Sequence, residues 1–261
     1  MAMIYQPGQA WETPPAILAI GDSWCWYPKN NLLQALIEHP GLGDPYRNIQ
    51  MLGYNGATLE EFVTGRYNKQ FHAELKHLHY YSAIIISGAG NDAVDYGLAL
   101  RPDCTGRSAA DCIDTLLLQT FRHQITRAMC GLISSVLWAA KLRRQHLDIF
   151  LHGYDYPVPD GRGFTLAGLS VAGPWLQPRL DAAKVARSEQ RQVCRLIMDS
   201  LSRAIQGLAD NKTVHYIDSR GTLSSSADYQ QDWDNEMHPT AQGFARIVDS
   251  RWMPVLSSRG Y

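Results

Sequence analysis

The sequence predicts an α/β fold built on a doubly wound parallel sheet. Three observations carry that expectation. Apolar runs of strand length alternate with stretches of helical periodicity in the order βαβαβαβαβα, which places helices on both faces of a parallel sheet. The run Ala83-Ile84-Ile85-Ile86-Ser87 is apolar with almost no interruption, as in a central strand buried on both faces. No internal repeat or low-complexity linker breaks the chain, so its 261 residues read as one domain, 1–261.

Each element has a local reason. Ala16-Ile17-Leu18-Ala19-Ile20, between Pro14-Pro15 and Gly21, has the length of a buried strand. Residues 31–37 read as a short helix stopped by His39-Pro40-Gly41. A second strand follows at 47–52. Thr58 with Glu61 three residues on is a capping box, so a helix starts there and runs into the seventies. After the third strand at 83–87, Leu116, Phe121, Ile125, Met129, Leu132 and Val136 share one face of a helix over about 112–143. A fourth strand at 147–152, a helix over about 181–208, a fifth strand at 214–217 and a final helix at 240–252 complete the order. Two segments without periodicity, near 93–111 and 153–180, are long enough to read as lid-like insertions.

Composition narrows the function. The chain is 45% hydrophobic and 19% charged, so it can bury a sizeable core. Its net charge is -1 with no Lys/Arg-rich block, which argues against nucleic acid or an anionic membrane as partner. No apolar run reaches the roughly 18 residues of a spanning helix. The polar, proline-bearing start does not resemble a secretory signal, so the expected location is the cytoplasm, or outside the cell if a signal has already been removed. Five cysteines form no C-x-x-C pair. Cys25, Cys130 and Cys194 read as buried thiols. Cys104 and Cys112 flank a polar loop and are candidates for a disulfide staple.

The chemistry gathers at the strand ends. Ser23 follows the first strand, Gly56 the second, Asn91 the third and His238 the fifth. In a parallel sheet all four fall on the edge where such sheets place ligands. Acyl transfer needs a hydroxyl, a base and donors for an oxyanion. Ser23 supplies the hydroxyl and His238 the base. The backbone N–H groups of Ser23 and Gly56 and the side-chain amide of Asn91 are candidate oxyanion donors. A glycine at position 56 lets the backbone approach closely. Each residue also has a bland reading: Gly56 as a turn residue, Asn91 as a cap, His238 as one of nine histidines. Trp24, Trp26, Tyr27, Tyr54, Tyr154, Tyr156 and Trp175 crowd the expected mouth, either as packing or as a platform for an acyl chain or sugar ring.

Four blocks, Gly21-Asp22-Ser23-Trp24, Asn55-Gly56-Ala57-Thr58, Gly90-Asn91-Asp92 and His238-Pro239-Thr240, resemble those of the SGNH hydrolases, the GDSL-type esterases and lipases. The resemblance implies a flavodoxin-like, three-layer α/β/α sandwich with a central five-stranded parallel sheet. It implies Ser23 as nucleophile, His238 as base, and Ser23, Gly56 and Asn91 as the oxyanion hole. It also implies an ester substrate and neither cofactor nor metal. Trp24 stands where relatives commonly carry leucine. The family's acid, three residues before the histidine, is here Asn235. Asn235 and Asp232 head the candidates for orienting His238, ahead of Asp234, Asp218 and Asp155. A cofactor-independent serine esterase of small acyl groups, or a carbohydrate deacetylase, is expected ahead of a lipase or thioesterase. A binding protein of the same fold with little or no turnover is the alternative.

Overall fold

The computed structural model describes residues 2–95 and 97–261. Among them a six-stranded parallel sheet forms the centre, with strands β1 (Met3–Tyr5), β2 (Ile17–Gly21), β3 (Asn48–Gly53), β4 (Ala83–Ile86), β5 (Asp148–Gly153) and, after a two-stranded hairpin, β8 (Val214–Asp218). Their spatial order is β1-β3-β2-β4-β5-β8, every neighbouring pair parallel. The five expected strands take the flavodoxin-like order, so the chain reverses direction across the sheet between β2 and β4. The strand missing from the sequence reading is β1. It is three residues long and pairs on one side only, with β3 (Ile4 opposite Ile49), so its pattern is too short to register. Its Tyr5 is nonetheless buried.

β2, β4 and β5 are buried along their whole length, which matches the apolar runs of β2 and β4, while β5 also buries Asp148 and His152. Helices cover both faces. Residues 59–63, 115–143 and 187–206 pack together on one face, and residues 23–26, 32–38 and 241–258 on the other. The predicted final helix instead bends through a single π turn at Val248–Trp252 and continues to Ser258. Helix Thr115–Arg143 is long and apolar enough by composition to cross a membrane. Here it lays Phe121, Ile125, Met129, Leu132 and Val136 into the core.

The segment 153–180 is not structureless. It holds the antiparallel hairpin β6 (Phe164–Leu166) and β7 (Leu169–Ala172), whose Leu166, Leu169 and Val171 are exposed. The candidate staple does not form: all five cysteines are free thiols, and Cys130 is exposed rather than buried. Cys104 and Cys112 are both buried, and the Cys104 thiol lies 3.8 Å from the Cys112 carbonyl oxygen and 3.9 Å from that of Arg101.

Candidate active site

Gly21 ends β2 so tightly against β4 that a Cβ there would lie 2.8 Å from the Ser87 carbonyl. The chain then turns at Asp22, whose carboxylate accepts from the Trp24 N–H at 3.0 Å and caps the short helix Ser23–Trp26. Ser23 is thereby held at a helix start, beyond the carboxyl end of a central strand. Its Oγ lies 2.7 Å from His238 Nε2. Both residues are buried, at 8% and 4% exposure, so the pair is shielded yet reachable.

The second and third blocks meet beside it. Residues 54–57 form a β-turn closed by Ala57 N–H donating to the Tyr54 carbonyl at 3.1 Å. Gly56 adopts φ +77°, which a type II turn requires at that position. A Cβ there would meet nothing within 4 Å, so the glycine is demanded by backbone conformation and not, as expected, by crowding. Asn91 follows Ala89, whose φ of 104° is rare for a residue with a side chain. The Asn91 Nδ2 donates to the Ala57 carbonyl at 3.0 Å, leaving its second hydrogen for another acceptor. Asp92, buried, accepts from the Leu59 N–H at 3.2 Å, and Glu61 accepts from the Thr58 N–H at 2.9 Å. Asp92 therefore ties the helix that follows the Gly56 turn to the Asn91 helix, while Glu61 caps that helix locally.

His238 sits in a tight loop closed by Asp234 N–H donating to its carbonyl at 2.9 Å. Its Nδ1 lies 3.0 Å from Asn235 Oδ1, which also accepts the N–H groups of Met237 and His238, each at 3.0 Å. Three donors on one oxygen leave no doubt which end of the amide faces the ring, so Nδ1 carries the proton and Nε2 is free to accept from Ser23. Burial lowers the imidazole to about 4, opposed in part by Asp234.

Asn235 is thus the residue that reaches His238, and the other candidates are occupied. Asp232 Oδ2 accepts from the Ser224 N–H and from Arg246, both at 2.7 Å, and neither of its oxygens bonds the imidazole. Asp218 holds Arg220, and Asp155 accepts the N–H groups of Tyr156, Gly221, Thr222 and Leu223. Asp234 binds Tyr27 at 2.7 Å and Lys29 at 3.0 Å and does not touch the imidazole.

Several contacts were invisible in the sequence pattern. Trp24 donates its indole N–H to the Met237 carbonyl at 2.9 Å, joining the nucleophile's helix to the base's loop. The Trp-for-Leu departure was the available signal. Tyr27 stacks flat on His238, centroids 4.1 Å apart and planes 4° from parallel, and Trp175 meets the same ring edge-on at 5.6 Å. Glu236, fully buried, accepts four N–H groups, from Gly161, Trp175, Leu176 and Gln177 at 2.7–3.1 Å. It ties the hairpin segment to the base's loop. Of the remaining aromatics, Tyr154 donates to Asp22 and lines the cleft, whereas Tyr54 stacks on Tyr67, Tyr156 donates to Asp199, and Trp26 packs half-buried on the core.

Ser23 and Asn91 open into a narrow cleft. Its wall is almost wholly apolar: Val94 and Leu98 from one expected insertion, Pro157 and Leu176 from the other, and Ile197 and Met198 from the helix 187–206. Gly56 stands beside it, its turn joined to Asn91 through the Ala57 carbonyl. Among the described residues no group of three or more His, Cys, Asp or Glu side chains could hold a metal ion.

No curated protein sequence matches the chain. Among solved structures, a lipase from a goat rumen metagenome aligns over 94% of this chain and 97% of its own at 11% identity, with a TM-score of 0.54. The extracellular lipase of Streptomyces rimosus aligns over 94% and 99% at 14% identity, with a TM-score of 0.51. These likenesses show the same fold. The model of the GDSL-like Lipase/Acylhydrolase family matches residues 17–246, a span holding all four blocks, and the chain therefore belongs to that family.

Proposed function

We propose that this protein is a serine esterase that cleaves carboxylic esters through an acyl-enzyme on Ser23, without a cofactor. The observation that carries the reading is the line Ser23 Oγ, His238 Nε2, His238 Nδ1, Asn235 Oδ1, with spacings of 2.7 and 3.0 Å, at the mouth of an apolar cleft.

The steps follow from the atoms. Neutral His238 takes the Ser23 proton as Oγ attacks the ester carbonyl carbon. The carbonyl oxygen becomes an oxyanion facing the free hydrogen of Asn91 Nδ2 and the N–H groups of Ser23 and Gly56. Collapse breaks the bond to the alkoxy oxygen, which takes the proton from His238 and leaves as the alcohol. Water then attacks the acyl-enzyme with His238 again as base, releasing the acid and restoring Ser23.

The cleft bears on the acyl group. Val94, Leu98, Ile197 and Met198 offer little for hydroxyls to bond, so the wall suits a hydrocarbon acyl chain better than a sugar ring. This moves the preferred substrate from the small-acyl esters or acetylated carbohydrates expected from sequence toward acyl groups of several carbons.

A fluorophosphonate probe and a series of nitrophenyl esters of increasing acyl length test both parts. Ser23 should be labelled, and Ser23→Ala should lower kcat by about 10⁴-fold or more with folding intact. Unlabelled Ser23, or unchanged turnover in the variant, would refute the nucleophile and favour the binding-protein reading. A best substrate with an acetyl group would refute the acyl assignment alone.

A further inference from the structure

The family's acid position holds an amide, yet a carboxylate stands one residue away and is wired to it. Asn235 Nδ2 donates to the Tyr27 hydroxyl at 2.9 Å, and that hydroxyl donates to Asp234 Oδ2 at 2.7 Å. Asn235 Nδ2 also lies 3.4 Å from the same carboxylate oxygen. Lys29 holds Asp234 from outside at 3.0 and 3.1 Å. The Tyr27 ring meanwhile lies parallel on the imidazole. We propose that Tyr27 and Asp234 are positioning residues for His238, a displaced acid whose charge reaches the imidazolium through the Asn235 amide and beneath the Tyr27 ring. The proposal rests on the reading of Ser23 and His238 as nucleophile and base.

The direction of every hydrogen bond is determined. His238 Nδ1–H donates to the amide oxygen, the amide N–H donates to the phenol oxygen, and the phenol donates to the carboxylate. Burial, with Asp234 beside it, pushes the Tyr27 phenol far above its ordinary range, so it remains a donor. When His238 takes the Ser23 proton, the imidazolium pulls electron density onto Asn235 Oδ1. The amide nitrogen becomes a stronger donor, and the bonds onward to Tyr27 and Asp234 tighten together. No proton leaves Nδ1 and no atom changes partner. The face of the Tyr27 ring adds a second attraction that exists only when the imidazole is charged. The same arrangement explains the amide. An aspartate at 235 would place a second carboxylate about 3.4 Å from Asp234, and like charges that close oppose each other's ionisation.

Other charges near the ring are turned away. Glu236 faces the N–H groups of the hairpin segment, Arg162 donates to the carbonyls of Trp233 and Asp234, and Asp22 is held by Trp24 N–H and Tyr154. Asp234 is the charge that acts on His238.

Three variants read by steady-state kinetics, and by NMR titration of the His238 ring, test the proposal. Asp234→Asn should lower kcat about tenfold with KM nearly unchanged, and the ring should titrate at lower pH. Tyr27→Phe keeps the stack and should lose several-fold in kcat. The exchange Asp234→Asn/Asn235→Asp returns a carboxylate to contact with Nδ1. It should recover most of the lost kcat and raise the ring's pKa above the wild-type value. If Asp234→Asn keeps wild-type kcat and ring titration, the displaced acid is refuted. If Asp234→Asn shifts the ring titration but the exchange recovers nothing, the relay through position 235 is refuted. Fluorophosphonate labelling of Ser23 in wild type separates these failures from failure of the hydrolase reading, and the NMR titration reports on the relay even without turnover. Should Tyr27→Phe fail to fold, the two variants at 234 and 235 still decide.

Discussion

The nucleophile's side of the site and the base's side are built differently. Ser23, Gly56 and Asn91 stand at the ends of β2, β3 and β4, adjacent strands at the point where the sheet reverses direction. Ser23 and Gly56 are set by short-range devices, the Asp22 cap and the type II turn, and Asn91 by its bond to the Ala57 carbonyl of the neighbouring strand's turn. His238 follows no strand directly. Its loop is held by Trp24, Tyr27, Lys29, Arg162 and Glu236's grip on residues 161–177, all partners distant in sequence. The comparison teaches that the attacking group and its donors belong to the sheet edge, while the base belongs to a loop pinned from outside. Damage to the first should appear in chemistry, and damage to the second in stability and pH dependence.

After loss of the nucleophile itself, the largest expected effect separates the two at once. Asn91→Ala should lower kcat by about 10²–10³-fold and change KM little, because its donor matters most when charge develops on the oxygen. A kcat within a few-fold of wild type would make Asn91 only a brace for Ala57.

A stability measurement probes the loop. In Glu236→Gln, an amide nitrogen would face backbone donors that now share a carboxylate, with a cost of about 2–4 kcal/mol. The urea midpoint should fall, with Ser23 still labelled in the protein that remains folded. An unchanged midpoint would show that the hairpin segment holds without this anchor.

The mildest test is the pH profile. The imidazole is lowered to about 4 by burial, and catalysis needs it neutral. As pH falls from 7 toward 5, a base at 6.5 would already be mostly protonated, whereas His238 should keep its neutral form. The limb of kcat/KM assigned to His238 by its ring titration should therefore lie near pH 4. Asp22, raised to about 6 by burial, titrates in between but points at Trp24 and Tyr154. A ring titration near 6.5 would mean that the loop opens to water in solution.

The sequence by itself determined the alternating parallel fold and the four blocks, because strand-length apolar runs, turn glycines and helix caps act within a few residues of each other. It also singled out the unusual amide at 235. It did not separate Asn235 from Asp232, since counting residues back from a histidine cannot say which side chain turns toward the ring. The folded chain decided against Asp232, which Arg246 and the Ser224 N–H draw away, and the local loop conformation turned Asn235 inward through the N–H groups of Met237 and His238, two and three residues on. Nor could Tyr27 be told from ordinary packing, because its ring meets His238 across 211 positions of chain. The three-residue β1 and the free Cys104 and Cys112 thiols were decided in the same way, by neighbours that only the folded chain brings within reach.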